Sequence, residues 1–300
     1  MLQRAAFAGL LVSICFGVSC ATTTPPANTV LPSTSASYFV HQRDGASGVI
    51  IFVHGVFGGA EGTWRNDYTR AYWPELVAKD ADFISNDVYV VSYFTPFIQH
   101  ASSLEEIAQR VLQQLDDRGL LNYKRIYFIT HSMGGLIVKR ILNILDRPSR
   151  ITDLRHVRAV LLISTPSQGA PIAALGKWLT MNPQLRDMIP ADFNTFLQGL
   201  ENDWLTMLRE RDRAHENYPQ VFCAYETQRT GRVRIVSRVY DATRCDNIAY
   251  PMDYNHVQIV KPRDVDSDPY PWAKARIREA DKLIMVDSNM SGVVRGKDSP

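Results

Sequence analysis

Arg125-Ile126-Tyr127-Phe128-Ile129-Thr130, then His131-Ser132-Met133-Gly134-Gly135, then Leu136-Ile137-Val138-Lys139-Arg140-Ile141-Leu142-Asn143-Ile144-Leu145 is the stretch on which the fold turns. The first run is apolar enough for a buried strand. The last carries apolar residues at positions that fit a helix with one broad buried face. A serine at the junction, with glycine on its far side, predicts a nucleophile elbow: a turn too tight for side chains near the serine, which lifts the hydroxyl above the sheet. The helix start also sets Ser132 beside unpaired backbone N–H groups and the positive end of a helix dipole, both favourable to an oxyanion. The pattern G-x-S-x-G is met imperfectly, because Thr130 stands where its first glycine would be. The strand before it and the helix after it supply the context that gives the pattern meaning.

A second signal lies upstream. His54-Gly55-Val56-Phe57-Gly58-Gly59 follows Gly48-Val49-Ile50-Ile51-Phe52-Val53, another buried-strand run. Acyl transfer needs donors aimed at the developing oxyanion. A glycine-rich turn beside the elbow can supply one backbone N–H, and the residue after the nucleophile supplies the other. These donors are assigned to Val56 and Met133. A glycine turn serving only backbone geometry is the plainer reading, and it weakens once the elbow downstream is considered.

The third signal is Asn255-His256-Val257-Gln258-Ile259-Val260-Lys261-Pro262. In a fold with such an elbow the triad runs in the order Ser, then Asp or Glu, then His. The histidines are at positions 41, 54, 100, 131, 156, 215 and 256, and only the last three follow the elbow. His156 precedes a strand and His215 sits in a charged helical stretch. His256 alone lies after the final candidate strand, so elimination makes it the general base.

These segments together, with Ser164-Thr165-Pro166-Ser167-Gln168-Gly169-Ala170 between the second and third, resemble the α/β-hydrolase superfamily. Within it the chain is most similar to the lipase-like serine esterases of the SERAC1/PGAP1-type group, over roughly residues 38 to 285. Where such relatives read Thr-Pro-His-x-Gly, this chain has Ser167 in place of the histidine. The resemblance implies a catalytic triad and a mostly parallel sheet. The triad acid is then expected just after the strand Val221-Phe222-Cys223-Ala224-Tyr225. Glu226 stands there, where it would accept a hydrogen bond from His256 and stabilise the imidazolium. Asp241 and Asp253 compete, since both also lie between the elbow and His256.

Composition agrees with an enzyme of one large domain. The chain has 300 residues, 45% of them hydrophobic, enough for a single sizeable core. A net charge of +2 with no basic run and no aromatic platform argues against a nucleic-acid partner. No metal-ligand cluster and no phosphate-binding glycine pattern is visible, so neither a metal nor another cofactor is expected.

The N-terminus reads separately. A short basic start precedes an apolar run, Ala5 to Val18, too short to span a membrane comfortably. Residues 1–20 are expected to be a signal peptide. Gly17-Val18-Ser19-Cys20 resembles a bacterial lipobox, in which Cys20 would carry lipid, with ordinary cleavage near Ala21 as the alternative. Residues 21–37, rich in Thr, Pro and Ser, read as a flexible tether. The expected location is the bacterial cell envelope, as an exported lipoprotein facing the periplasm or on the outer membrane, anchored to the membrane through Cys20. Cys223 and Cys245 then remain, free to pair in an exported compartment or to pack as reduced thiols.

Candidate strands are 38–42, 48–53, 87–93, 125–130, 158–164, 221–225 and 233–238. Candidate helices include 102–117, 134–146 and 271–285. Such alternation predicts an α/β fold, a mostly parallel sheet flanked by helices on both faces, over residues 38–286. Residues 170–219 interrupt the alternation with amphipathic helical stretches carrying Trp178, Leu179, Phe193, Phe196 and Trp204. They are expected to form a small helical cap above the site, with part of the stripe packed as core. Residues 287–300 read as a polar, disordered tail. The expected function is hydrolysis of a small-molecule or lipid ester through an acyl-enzyme. The same triad serves thioesterases, acyltransferases and amidases, and a surface lipoprotein that keeps the fold without chemistry is a further class.

Overall fold

The computed structural model describes residues 36–55, 58–93, 104–166, 193–213, 218–231 and 245–294, without side-chain detail at 193–196, 212–213 and 283–294. All of them belong to one unit, Thr34–Pro300. The expected signal peptide, Cys20 and nearly all of the tether lie outside the described residues, as do Val56, Asp241 and the candidate strand 233–238.

Seven strands form one sheet: β1 (Tyr38–His41), β2 (Gly48–Val53), β3 (Asn86–Val91), β4 (Arg125–His131), β5 (Val157–Ile163), β6 (Gln220–Glu226) and β7 (Tyr250–Met252). Their order is β1-β3-β2-β4-β5-β6-β7. Every pairing is parallel except that of β1 with β3 at one edge. A parallel sheet needs cover on both faces, which is why β2 and β3 are buried at every position. The short edge strand β7 was not anticipated. Tyr250-Pro251-Met252 is too brief for a periodic signal, and proline is tolerated only where no ladder donor is needed.

Alternate strand residues enter two separate cores. Val49, Ile51, Val53, Ile126 and Phe128 face the side covered by α2 (Leu104–Asp117), α3 (Met133–Leu145) and the long helix Phe193–Arg213. Ile50, Phe52, Tyr127 and Ile129 face the side covered by α1 (Trp73–Lys79) and the C-terminal helix Tyr270–Val294. A short helix α4 (Ile151–Leu154) joins α3 to β5, so the two long helices are α5 (Phe193–Arg213) and α6 (Tyr270–Val294). On the second face, Phe52, Trp64 and Trp73 meet edge-on with centroids 5.1 to 5.9 Å apart. This geometry adds to the area that large aromatics bury.

Two expectations change here. Residues 170–192 of the expected cap lie outside the described residues. In the following helix α5, Leu197, Leu200, Trp204, Met207 and Leu208 are buried in the first core beside α3. Trp204, counted above among cap residues, is therefore a sheet-flanking core residue. A stripe at helical spacing with that much apolar area gains most by burial against another helix. The polar positions on the same side are paired: Lys139 of α3 and Glu201 of α5 lie 3.6 Å apart, both buried. At the other end, α6 continues to Val294, so the first part of the expected tail is helical. A helix once nucleated gains a hydrogen bond for each residue it adds, and no proline interrupts 287–294. Among the described residues, no helix is long and apolar enough to cross a membrane.

Candidate active site

β4 ends at the elbow. Ser132 adopts φ 51° and ψ −123° as the N-cap of α3, a conformation that L-residues seldom hold without surrounding constraint. The constraint is visible. The Ser132 N–H donates to the Ile163 carbonyl at 3.0 Å, and its own carbonyl accepts from Gly135 N at 3.0 Å. Close packing sets the neighbouring glycines. A Cβ on Gly134 would fall 2.3 and 2.4 Å from the backbone oxygens of Val53 and His54, and one on Gly55 would fall 2.9 Å from Ser132 Cβ. Thr130 fits where a glycine was expected because its hydroxyl donates to the Leu161 carbonyl at 2.9 Å.

The structure brings Ser132, His256 and Glu226 together. His256 Nε2 lies 3.0 Å from Ser132 Oγ, and His256 Nδ1 lies 3.5 Å from Glu226 Oε1. The three residues are essentially buried. Glu226 is the last residue of β6, two strands from the elbow, and His256 sits in the loop after β7. All three therefore gather at the carboxyl ends of the parallel strands, where open α/β sheets bind their ligands. The distance between His256 and Glu226 is long for a hydrogen bond, as is common before a substrate tightens a site.

The competing carboxylates separate from this group. Asp253 is exposed and accepts hydrogen bonds from Thr227 Oγ1 at 2.9 Å and Gln228 Nε2 at 3.2 Å. Asp241 lies outside the described residues. Of the expected oxyanion donors, Met133 is the first residue of α3, where a backbone N–H has no acceptor within the helix. Val56 lies outside the described residues.

Several site residues were not singled out from the sequence. The backbone of His256 is held on both sides: its N–H donates to Thr230 Oγ1 at 2.9 Å, and its carbonyl accepts from His131 Nε2 at 2.8 Å. A carbonyl can only accept, so His131 carries its proton on Nε2. Burial, with the neighbouring His256 second, holds His131 well below the ordinary histidine range. His54 donates from Nδ1 to the Gly55 carbonyl at 2.8 Å and stacks on Tyr93 at 4.2 Å. Burial lowers its pKa to about 4. Both histidines are thus neutral near pH 7, and neither puts a positive charge beside His256. Ser164, at the end of β5, donates from Oγ to Glu226 Oε2 at 2.5 Å. A lone serine closing an apolar strand next to Thr165-Pro166 was the only sequence trace of it.

A disulfide joins Cys223 of β6 to Cys245, with Cα atoms 5.9 Å apart. Of the two readings open for these cysteines, the paired one is the arrangement found. Among the described residues, no group of His, Cys, Asp and Glu is placed to hold a metal ion.

The chain is 24% identical to human Protein SERAC1 over 257 residues, 77% of this chain and 38% of the relative. Identity to the mouse protein is 26% over 251 residues, 74% of this chain and 37% of the relative. The chain therefore spans well under half the length of the curated relatives it matches. The Bacillus licheniformis lipase BlEst2 superposes with a TM-score of 0.48 and 14% identity, covering 75% of this chain and 92% of that one. The model of the alpha/beta hydrolase family matches residues 50–286, and the chain belongs to that family.

Proposed function

We propose that the protein is a serine hydrolase of carboxylic esters, with Ser132 as nucleophile, His256 as general base and Glu226 as the acid. The observation that carries this reading is the 3.0 Å contact between Ser132 Oγ and His256 Nε2, with Glu226 3.5 Å behind the ring. A binding module has no use for a strained serine facing a buried imidazole.

Ser132 Oγ attacks the ester carbonyl while His256 Nε2 takes its proton. The tetrahedral oxygen is met by the Met133 N–H and, from the His54–Gly59 turn, the Val56 N–H. The imidazolium returns its proton to the leaving alkoxide, leaving an acyl-enzyme. Water then attacks with His256 again as base, and serine is released. Glu226 accepts from Nδ1, fixes the tautomer and offsets the imidazolium charge while remaining ionised. In a buried site these charge interactions are stronger than in water.

The test is labelling by a fluorophosphonate together with turnover of chromogenic esters graded in acyl length. Wild type is expected to label and turn over. Ser132→Ala is expected to do neither, with kcat lower by a factor on the order of 10⁴ or more, and His256→Ala by a similar factor since triad members act as a unit. Labelling that persists in Ser132→Ala would remove the nucleophile assignment.

A further inference from the structure

Among the described residues, three non-glycine residues hold a left-handed φ: Arg70, Ser132 and Ser164. Arg70 belongs to a surface turn, and the strain at Ser132 belongs to the elbow. Ser164, with φ 48°, has no role in the mechanism above. It is fully buried, and its N–H is spent on the Ala224 carbonyl of the neighbouring strand at 2.8 Å. Glycine would hold this backbone without strain. What glycine would lose is the hydroxyl, and that hydroxyl donates to Glu226 Oε2 at 2.5 Å.

The geometry points to Ser164 as a positioning residue for the acid: its O–H fixes the rotation of the Glu226 carboxylate, so that Oε1 faces His256 Nδ1. The inference rests on the Ser132–His256–Glu226 reading. A carboxylate with no exposure to solvent stays ionised only if donors meet its oxygens. Ser164 meets one oxygen and the imidazole faces the other, so each carboxylate oxygen has a separate task. Without the hydroxyl, the carboxylate can rotate about its terminal bond, a soft torsion with broad minima. That change weakens the support of the imidazolium. Ser164 touches neither substrate nor the reacting atoms, so all of its effect passes through Glu226.

The test is a double-mutant cycle on kcat for an activated chromogenic ester, with thermal unfolding measured on every variant. Ser164→Gly is expected to lower kcat about tenfold, the scale of a hydrogen bond to a charged group, with KM within about twofold. Its unfolding temperature should change little, because relief of the backbone strain opposes the loss of the hydrogen bond. Ser164→Ala, which keeps the Cβ and loses only the hydroxyl, should lower kcat by the same factor and serves if the glycine variant folds poorly. In a Glu226→Gln background either substitution is expected to change kcat less than about twofold. Equal losses in both backgrounds would show a merely structural serine and overturn the proposal, as would wild-type kcat in Ser164→Ala. If Glu226→Gln alone left kcat intact while Ser132→Ala abolished it, the acid assignment would fall and the role of Ser164 with it. The nucleophile reading would stand.

Discussion

Two neighbouring parallel strands, β4 and β5, each end in a buried serine with φ near +50°, yet the two serines face different partners. Ser132 Oγ lies 3.0 Å from an imidazole nitrogen and Ser164 Oγ lies 2.5 Å from a carboxylate oxygen. In the function proposed above, the first hydroxyl faces a base that removes its proton. The second faces an acceptor that holds its proton in place. On the proposed reading, two serines with a similar left-handed φ thus present one mobile proton and one fixed proton, and the partner side chain decides which. The surroundings differ as well. The Ser132 end is held by close backbone packing against Gly55 and Gly134 and by two neutral, buried histidines. The Ser164 end is held through Glu226 on a strand tied by a disulfide.

The comparison breaks most sharply at the acid. Glu226→Gln leaves the shape of the carboxyl group and removes its charge, and is expected to lower kcat by about 10³ to 10⁴, the scale seen when a triad acid becomes its amide. Asp253→Asn should leave kcat within about twofold. Steady-state kinetics on one ester decide it, and the reverse ranking would move the acid away from the Ser164 end altogether.

Next in size is the disulfide. It closes a loop with a sequence separation of 22 that contains Glu226 and Thr230. Cys223→Ala with Cys245→Ala should cost about 3 kcal/mol of unfolding free energy from chain entropy. Urea unfolding with and without reductant reads this directly. An unchanged midpoint would mean that the acid end is held by strand packing alone.

The smallest effect concerns the Ser132 end and is a dependence on pH. His54 has a folded pKa of about 4, lowered by burial, against roughly 6.5 unfolded. Above pH 6.5 both states are neutral and the group contributes nothing. As pH falls through 6.5 the unfolded chain takes up the proton and the fold cannot, so stability is lost until about pH 4. By pH 5 the loss from His54 is about 2 kcal/mol, and His131, shifted the same way, adds to it. Carboxylates held low by partners, such as Asp67 and Asp80, act at lower pH. Unfolding free energies at pH 7.5, 6 and 5 should therefore fall before the carboxylates titrate, and His54→Asn should flatten the slope. A flat profile in the wild type would show that the Ser132 end tolerates charge.

Much of this was legible in the chain. The runs at 48–53 and 125–130 are β-branched and aromatic, so the strands announced themselves, and the shift from strand period to helix period across Ser132 located the elbow. Chain order selected His256. Glu226 was favoured by standing at the end of an apolar strand, and the fold places it 3.5 Å from His256. The partners of these groups were not legible. Thr230, His131 and Ser164 each reach the site through one hydrogen bond from a distant part of the chain, and such a bond leaves no periodicity. Strand β7 is too short to have one. The amphipathic stripe on α5 was visible, but a stripe specifies that a face is buried and not what buries it.

Local order and polarity by themselves determined the alternation of strand and helix, the parallel sheet, the elbow at Ser132 and the choice of His256 among the histidines. These depend on neighbours along the chain, through side-chain period and turn sterics. Only the tertiary structure decided that Asp253 faces solvent, that Cys223 meets Cys245, that Trp204 is core and that the Ser164 hydroxyl meets Glu226. Those depend on register between strands and on distances across the fold, which no local pattern encodes.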